Sequence, residues 1–167
     1  MHYLINVFGI ILVLPVISIG INVFINFKKK NKNNFPEIIG NWFIFWSIGI
    51  RLFTTGLMQI FNPVYTANLL QLNLNDFIVI RELGLSNFSI GLLGIISFFK
   101  HGLQKYVCLY ILIFFSGASI IHITRLLQYA YLDEIITLIT NIFTIIVSVY
   151  GIIRTTKSNN DIIKMRI

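Results

Sequence analysis

Acidic residues are scarce in this chain: six Asp and Glu stand against 13 Lys and Arg among 167 residues. Proline occurs three times and cysteine once. A single cysteine excludes an internal disulfide framework, and no Cys/His spacing resembles a zinc or haem site. Cys108 is therefore expected to be a small apolar packing residue. Phosphate-binding loops are missing too, since no G-x-x-x-x-G-K-[ST] and no strand-linked G-x-G-x-x-G occurs. Charged residues of both signs make up 11%, against about 25% in a soluble domain. Apolar side chains fill the difference, at 56% of residues and a mean hydropathy of +0.83.

Those apolar residues fall into five stretches: Tyr3–Phe27, Ile38–Phe61, Phe77–Phe99, Tyr106–Thr124 and Ile135–Ile153. Each is near the ~20 residues that an α-helix needs to cross a ~30 Å hydrocarbon layer. The expected fold class is all-α, an integral membrane helical bundle. Its five transmembrane helices form one domain over residues 1–167, with a four-helix core and an added N-terminal helix. Lys28, Lys29, Lys30 and Lys32 follow the first span. Lys100 and Lys105 lie between spans three and four, and Arg154, Lys157, Lys164 and Arg166 follow span five. Alternate connections are thus basic. By the positive-inside rule this puts the N-terminus outside and the C-terminus in the cytoplasm. The same placement assigns the net charge of +7 to anionic lipid headgroups rather than to nucleic acid.

Met1–Asn6 contains no Lys or Arg, and no small-residue cleavage site follows, so the first span reads as a retained helix rather than a signal peptide. Pro15 and Gly20 are expected to kink it, with neighbouring helices satisfying the freed carbonyls. Asn6, Ser18, Asn22 and Asn26 make it more polar than a plain lipid-facing wall. Between spans two and three, Asn62-Pro63 predicts an N-cap followed by a first helical residue. The short amphipathic helix it opens would bury Val64, Ala67, Leu69 and Leu70, with Thr66, Asn68 and Gln71 opposite, in the outer interface. Asn73–Asp76 would end it and cap span three. Asp133 and Glu134 open span five, where a helix N-terminus favours negative charge. Trp42, Trp46, Tyr106, Tyr110 and Tyr150 would mark the inner headgroup level, and Tyr65, Tyr129 and Tyr131 the outer one. Thr155–Ile167 reads as a loose interfacial tail.

Arg51 is the chief oddity. Counting ~1.5 Å per residue from Phe61, it lies about 15 Å below the outer edge, where an arginine costs ~2.5–3.5 kcal/mol to insert. It cannot shed its proton, so it must find acceptors inside the bundle. Glu82, early in span three, is the expected partner. Gln59 lies two turns from Arg51 on the same face, with Thr55 between them. His122 and Arg125 lie near the outer end of span four, with Ser119 on the same face, while Arg81 and Arg125 are expected to snorkel to headgroups. Asn87 and Asn141 are further polar positions in spans three and five. The candidate pocket is therefore Arg51, Gln59, Glu82 and His122, with Thr55, Asn87 and Asn141 as secondary members. No catalytic set, cofactor or metal ligand is assigned.

Gly49 and Gly56 in span two, and Gly84 and Gly91 in span three, are each seven residues apart, close to two helical turns. Gly94 broadens the second stripe. Small stripes let backbones approach, so spans two and three are predicted as the tightest pair. Gly117 and Ala118 would do similar work in span four.

The stretch W-F-I-F-W-S-I-G-I-R-L-F-T-T-G-L-M-Q-I-F-N-P from Trp42, with R-E-L-G-L-S-N-F-S-I-G-L-L-G-I-I-S from Arg81, resembles an uncharacterised bacterial family of small multi-pass proteins, loosely similar to DoxX-like membrane proteins. Arg51 with Gly56, Glu82 with Gly91 and Gly94, and His122 carry the likeness, over about half the chain. The resemblance implies a four-helix core, and some DoxX-like relatives are linked to quinone-coupled chemistry or to membrane complexes. No redox cysteine pair supports an oxidoreductase. The expected function is to bind a lipid-like or quinone-like molecule in an outer-half pocket, or to serve as a subunit of a membrane complex, with membrane lipids or a second copy as partners. The alternatives are a small proton-coupled transporter using Glu82 and His122, and an intramembrane Glu/His isomerase.

Overall fold

The computed structural model describes residues 9–28, 35–69, 77–129 and 132–164. Hydrocarbon offers the backbone no water to bond, so long apolar runs must close their N–H and C=O groups within helices. Six helices result. They are α1 (Gly9–Lys28), α2 (Phe35–Phe61), the short α3 (Pro63–Leu69), α4 (Phe77–Phe99), α5 (Gln104–Tyr129, entered through a 3-10 turn at His101–Leu103) and α6 (Leu132–Lys164). No strand occurs among the described residues. Five of the helical segments are long and apolar enough to cross a membrane, as a multi-pass membrane protein requires. The fold class matches the expectation of an all-α bundle.

Helix α2 is the hub. Its middle, Ile44–Ile50, widens into π-helical turns, a rare geometry that inserts residues into an α-helix. Ile44, Ser47, Ile48 and Gly49 are all buried there, against three different neighbours. Ile44 and Ile48 join Val107, Cys108, Ile111, Phe115 and Val147 in the core shared with α5 and α6. Gly49 faces α4, and Ser47 faces α1.

The α2–α4 seam is built from glycines. A Cβ placed on Gly94 would lie 2.8 Å from the Gly49 Cα, and one on Gly56 would lie 2.7 Å from the Phe88 Cα. One on Gly84 would meet the Gln59 Cβ at 2.8 Å, and one on Gly91 the Phe53 Cα at 2.7 Å. Both predicted stripes therefore face each other across one interface. In span four the expectation fails: Gly117 is exposed and has nothing within 4 Å. The close approach of α5 to α6 uses Gly151 instead, where an added Cβ would meet the Cys108 Sγ at 2.6 Å. Cys108 is indeed a packing residue, fully buried.

Helix α1 is peripheral. Only 11% of its apolar window is buried, against 28–44% in the other four. Its attachment follows from Pro15, which has no N–H to give the carbonyl of Ile11 one turn earlier. The Ser47 hydroxyl of α2 donates to that carbonyl at 3.2 Å, with Ile11 and Pro15 both buried. The Trp46 indole N–H donates to the Ser18 hydroxyl at 3.0 Å, while Asn26 donates to Asn22 within α1. A Cβ on Gly20 would meet nothing within 4 Å, and π turns occupy Gly9–Val13. Ser47→Ala should leave the Ile11 carbonyl unpaired and cost about 1 kcal/mol. Faster proteolysis or hydrogen exchange confined to α1 is the expected measurement.

Asn62 caps α3 as predicted, its Oδ1 accepting from the Tyr65 N–H at 3.2 Å. The buried face, however, is Pro63, Thr66 and Ala67, with Val64 45% exposed. Thr66 is thus turned inward against α2 and α4, because a helix this short is oriented by its Asn62-Pro63 entry rather than by its apolar residues. Two helices run beyond the expected spans. Helix α5 continues past Thr124 to Tyr129, and α6 continues past Ile153 to Lys164. Nothing after Gly151 breaks the latter, since neither Gly nor Pro follows. The readings placed on Asn6, Lys29, Lys30, Lys32, Leu70, Gln71, Asn73–Asp76, Tyr131 and Arg166, and on the side chains of Leu69, Tyr129, Asp133 and Lys164, lie outside the described residues.

Candidate functional site

Arg51 begins the α-helical turn that follows the π segment of α2. It stands two residues after Gly49, which is about 200° around a helix of 3.6 residues per turn. It therefore points away from the glycine seam and toward α5 and α6. There its Nη1 donates to the Thr144 hydroxyl at 2.9 Å and makes a longer contact, 3.5 Å, with the Thr140 carbonyl. The guanidinium lies 5.0 Å from the centre of the Phe115 ring. Thr144 is preset for this role, since its own hydroxyl proton goes to the Thr140 carbonyl at 2.7 Å and its lone pairs remain for the cation. An arginine only 8% exposed is held by oxygens and a π face.

Glu82 does not meet it. Glu82 is exposed on α4 and forms no ion pair or hydrogen bond among the described residues. The reason is angular: Glu82 precedes Gly84 by two residues, so it too sits about 200° from the seam. The expected Arg51–Glu82 pair is replaced by Arg51 with Thr140, Thr144 and Phe115.

Among the described residues the buried carboxylate is Glu134. Its Oε2 lies 2.6 Å from the His122 Nδ1 and its Oε1 lies 2.8 Å from the Arg125 Nε. The Glu134 side chain is 6% exposed, His122 17% and Arg125 25%. Hydrogen bonds this short to a carboxylate are among the stronger kind. Held by Arg125, the carboxylate is an acceptor, so the Nδ1–H of His122 donates to it and the Nε2 is left to face other groups. Arg125 thus turns to Glu134 rather than snorkelling away, because the α5–α6 hairpin brings position 134 back beside 122.

Between these two anchors lie Ser119 and Asn141. Ser119 shares a face of α5 with Phe115 and His122, and α5 packs chiefly on α6. Asn141 shares a face of α6 with Glu134 and Thr144. Ser119 is 8% exposed, and its hydroxyl has no hydrogen-bond partner among the described residues. Asn141 is 3% exposed, and its amide likewise makes no hydrogen bond among them. At ~1.5 Å per residue, Ser119 lies about 4.5 Å inward of His122, and Asn141 about 10 Å inward of Glu134.

The remaining sequence candidates lie apart from this group. Asn87 donates to the Gln59 Oε1 at 2.8 Å, both buried, and this pair bridges α2 and α4 beside Gly84. It is a lock within the seam. Thr55 is half-buried. At the opposite end of the bundle, Arg154 turns inward where a loop charge was expected. Its Nη1 donates to the Glu37 carbonyl at 2.8 Å and its Nη2 to the Gln104 Oε1. Gln104 in turn donates to Asn41 at 2.9 Å and to the Ser97 carbonyl at 3.1 Å. Arg154 packs so closely over Gly40 that a Cβ there would sit 2.8 Å from its Cζ. Gly40 was the sequence signal for this contact. Among the described residues no three His, Cys, Asp or Glu side chains are grouped to hold a metal.

No curated protein and no solved structure is significantly similar to this chain. One family does match, over residues 5–161, and it takes in every helix from which the Arg51, Ser119, His122, Glu134 and Asn141 side chains project. The chain belongs to that family, described as Family of unknown function (DUF6790).

Proposed function

We propose that this is a single-domain, multi-pass protein of a bacterial-type inner membrane that binds a lipid-like or quinone-like molecule between α2, α5 and α6. The basic connections support an outside N-terminus and a cytoplasmic C-terminus, which puts the His122–Glu134 end in the outer half. The observation that carries the reading is the Ser119 hydroxyl, buried without a hydrogen-bond partner among the described residues. An unpaired buried polar group costs about 1–3 kcal/mol, and a bound headgroup would recover it. The loose DoxX-like likeness is in keeping with such a ligand, or with service as a subunit of a membrane complex. Glu82, being exposed, has no place in this site.

Native mass spectrometry of the gently solubilised protein tests the idea. A copurifying apolar molecule is expected, and a Ser119→Leu, Asn141→Leu double variant should lower its occupancy at least tenfold. Unchanged occupancy in a variant that keeps its thermal stability would defeat the proposal.

A second reading, proton-coupled transport, is favoured by the 2.6 Å contact between His122 and Glu134. Proteoliposomes with His122→Phe should then lose proton flux that the wild type carries, whereas an absence of flux in the wild type would dismiss transport.

A further inference from the structure

Building on the binding reading above, we infer that the ligand's headgroup is uncharged and oxygen-bearing, a carbonyl or hydroxyl on an apolar body, and that Ser119, Asn141 and the His122 Nε2 hold it. The charged groups lining this part of the bundle already face partners. Glu134 is shared between His122 and Arg125, and the Arg51 Nη1 is engaged by Thr144 and Thr140 with its face on Phe115. What is left over is the buried Ser119 hydroxyl, with the carboxamide of Asn141, a residue 3% exposed, on the neighbouring helix. Both can donate and accept, and neither carries charge. An anionic phosphate or carboxylate head would need an unengaged cation in low dielectric, whereas a neutral oxygen needs only these two groups.

The geometry fits a compact head. Ser119 and Asn141 are separated by about 6 Å along the bundle axis, from about 4.5 and 10 Å below the His122–Glu134 level. That distance suits one ring or one ester-sized group bonded at two ends. The His122 ring, held at Nδ1 by Glu134, stands about one turn outward of Ser119. Ile120 and Ile121 on α5 and Ile139 on α6 are exposed and offer the ligand's body hydrocarbon to lie against.

Two sources share this chemistry, a diacylglycerol and a quinone, and the test separates them. Detergent-solubilised, delipidated protein would be titrated with dioctanoylglycerol, with decyl-benzoquinone and with dioctanoylphosphatidylglycerol. Saturable binding is expected for at least one of the two neutral probes, with affinity reduced about five- to tenfold in Ser119→Ala, the size of one buried hydrogen bond. Ser119→Thr should restore it. The neutral probe that binds names the source. If dioctanoylphosphatidylglycerol binds more tightly than both, in a Ser119-dependent way, the inference of an uncharged head is overturned while the binding site stands. If no probe shows saturable, Ser119-dependent binding, the site itself is overturned as well.

Discussion

Gly91→Ala is expected to destabilise the bundle by about 3 kcal/mol, the upper end of what overpacking costs. The new methyl group would meet the Phe53 Cα at 2.7 Å and the carbonyl carbon of Leu52 at 2.8 Å. Both are backbone atoms of α2, which cannot rotate aside as a side chain would. Gly56→Ala should behave alike, because its methyl would meet the Gly84 oxygen and the Phe88 Cα, each at 2.7 Å. Gly117→Ala is the control. With nothing within 4 Å, it gains helix propensity of up to about 1 kcal/mol and loses no contact. Thermal unfolding in detergent should rank the three, with Gly117→Ala at or above the wild type. A Gly91→Ala protein as stable as the wild type would mean that α2 and α4 are not in backbone contact.

Glu134→Ala comes next. Removing one member of a buried ion pair costs about 3–5 kcal/mol when the other is left without compensation. Arg125 is a quarter exposed here and can reach outward, so about 2 kcal/mol is the expected loss. Glu82→Ala, by contrast, should fall within about 0.5 kcal/mol of the wild type, as surface changes do. The two carboxylates thus make opposite predictions in one denaturation series. Equal effects at both positions, or a larger one at Glu82, would contradict the arrangement around His122.

The bundle was legible in the sequence because hydrophobic length is a strong signal, and five runs of suitable length leave few other folds. The α2–α4 seam was legible for a similar reason: seven-residue glycine spacing nearly closes two turns and marks a line on each helix. Arg51 was the harder case. Its depth in the span suggested Glu82, but depth says nothing about azimuth. Counting from Gly49 and Gly84, both residues turn away from the shared seam, and that arithmetic was available from the sequence. The acceptors Thr140 and Thr144 were not conspicuous, because a threonine in an apolar helix ordinarily spends its hydroxyl on its own backbone. Thr144 does this and still serves Arg51. Glu134 was assigned to the helix dipole, a local rule, whereas hairpin register decides its partners. That register depends on how far α5 extends, and polar residues from Arg125 onward concealed its last turn. Arg154 was hidden by its company, one cation within a basic tail that otherwise reads as solvated.

The π-helical stretch Ile44–Ile50 acts as a phase adjuster. It lets Ser47, Ile48 and Gly49 serve α1, the core and α4 in succession, and it delivers Arg51 at the azimuth of Thr144. A π turn carries about one residue more than the α turn it replaces, so loss of a single codon there would let the coil close to its ordinary pitch with the downstream faces nearly where they were. The same loss in the α-helical turns after Arg51 would swing everything beyond it by about 100°. The joint is thus the one place in this helix where a missing residue would be absorbed.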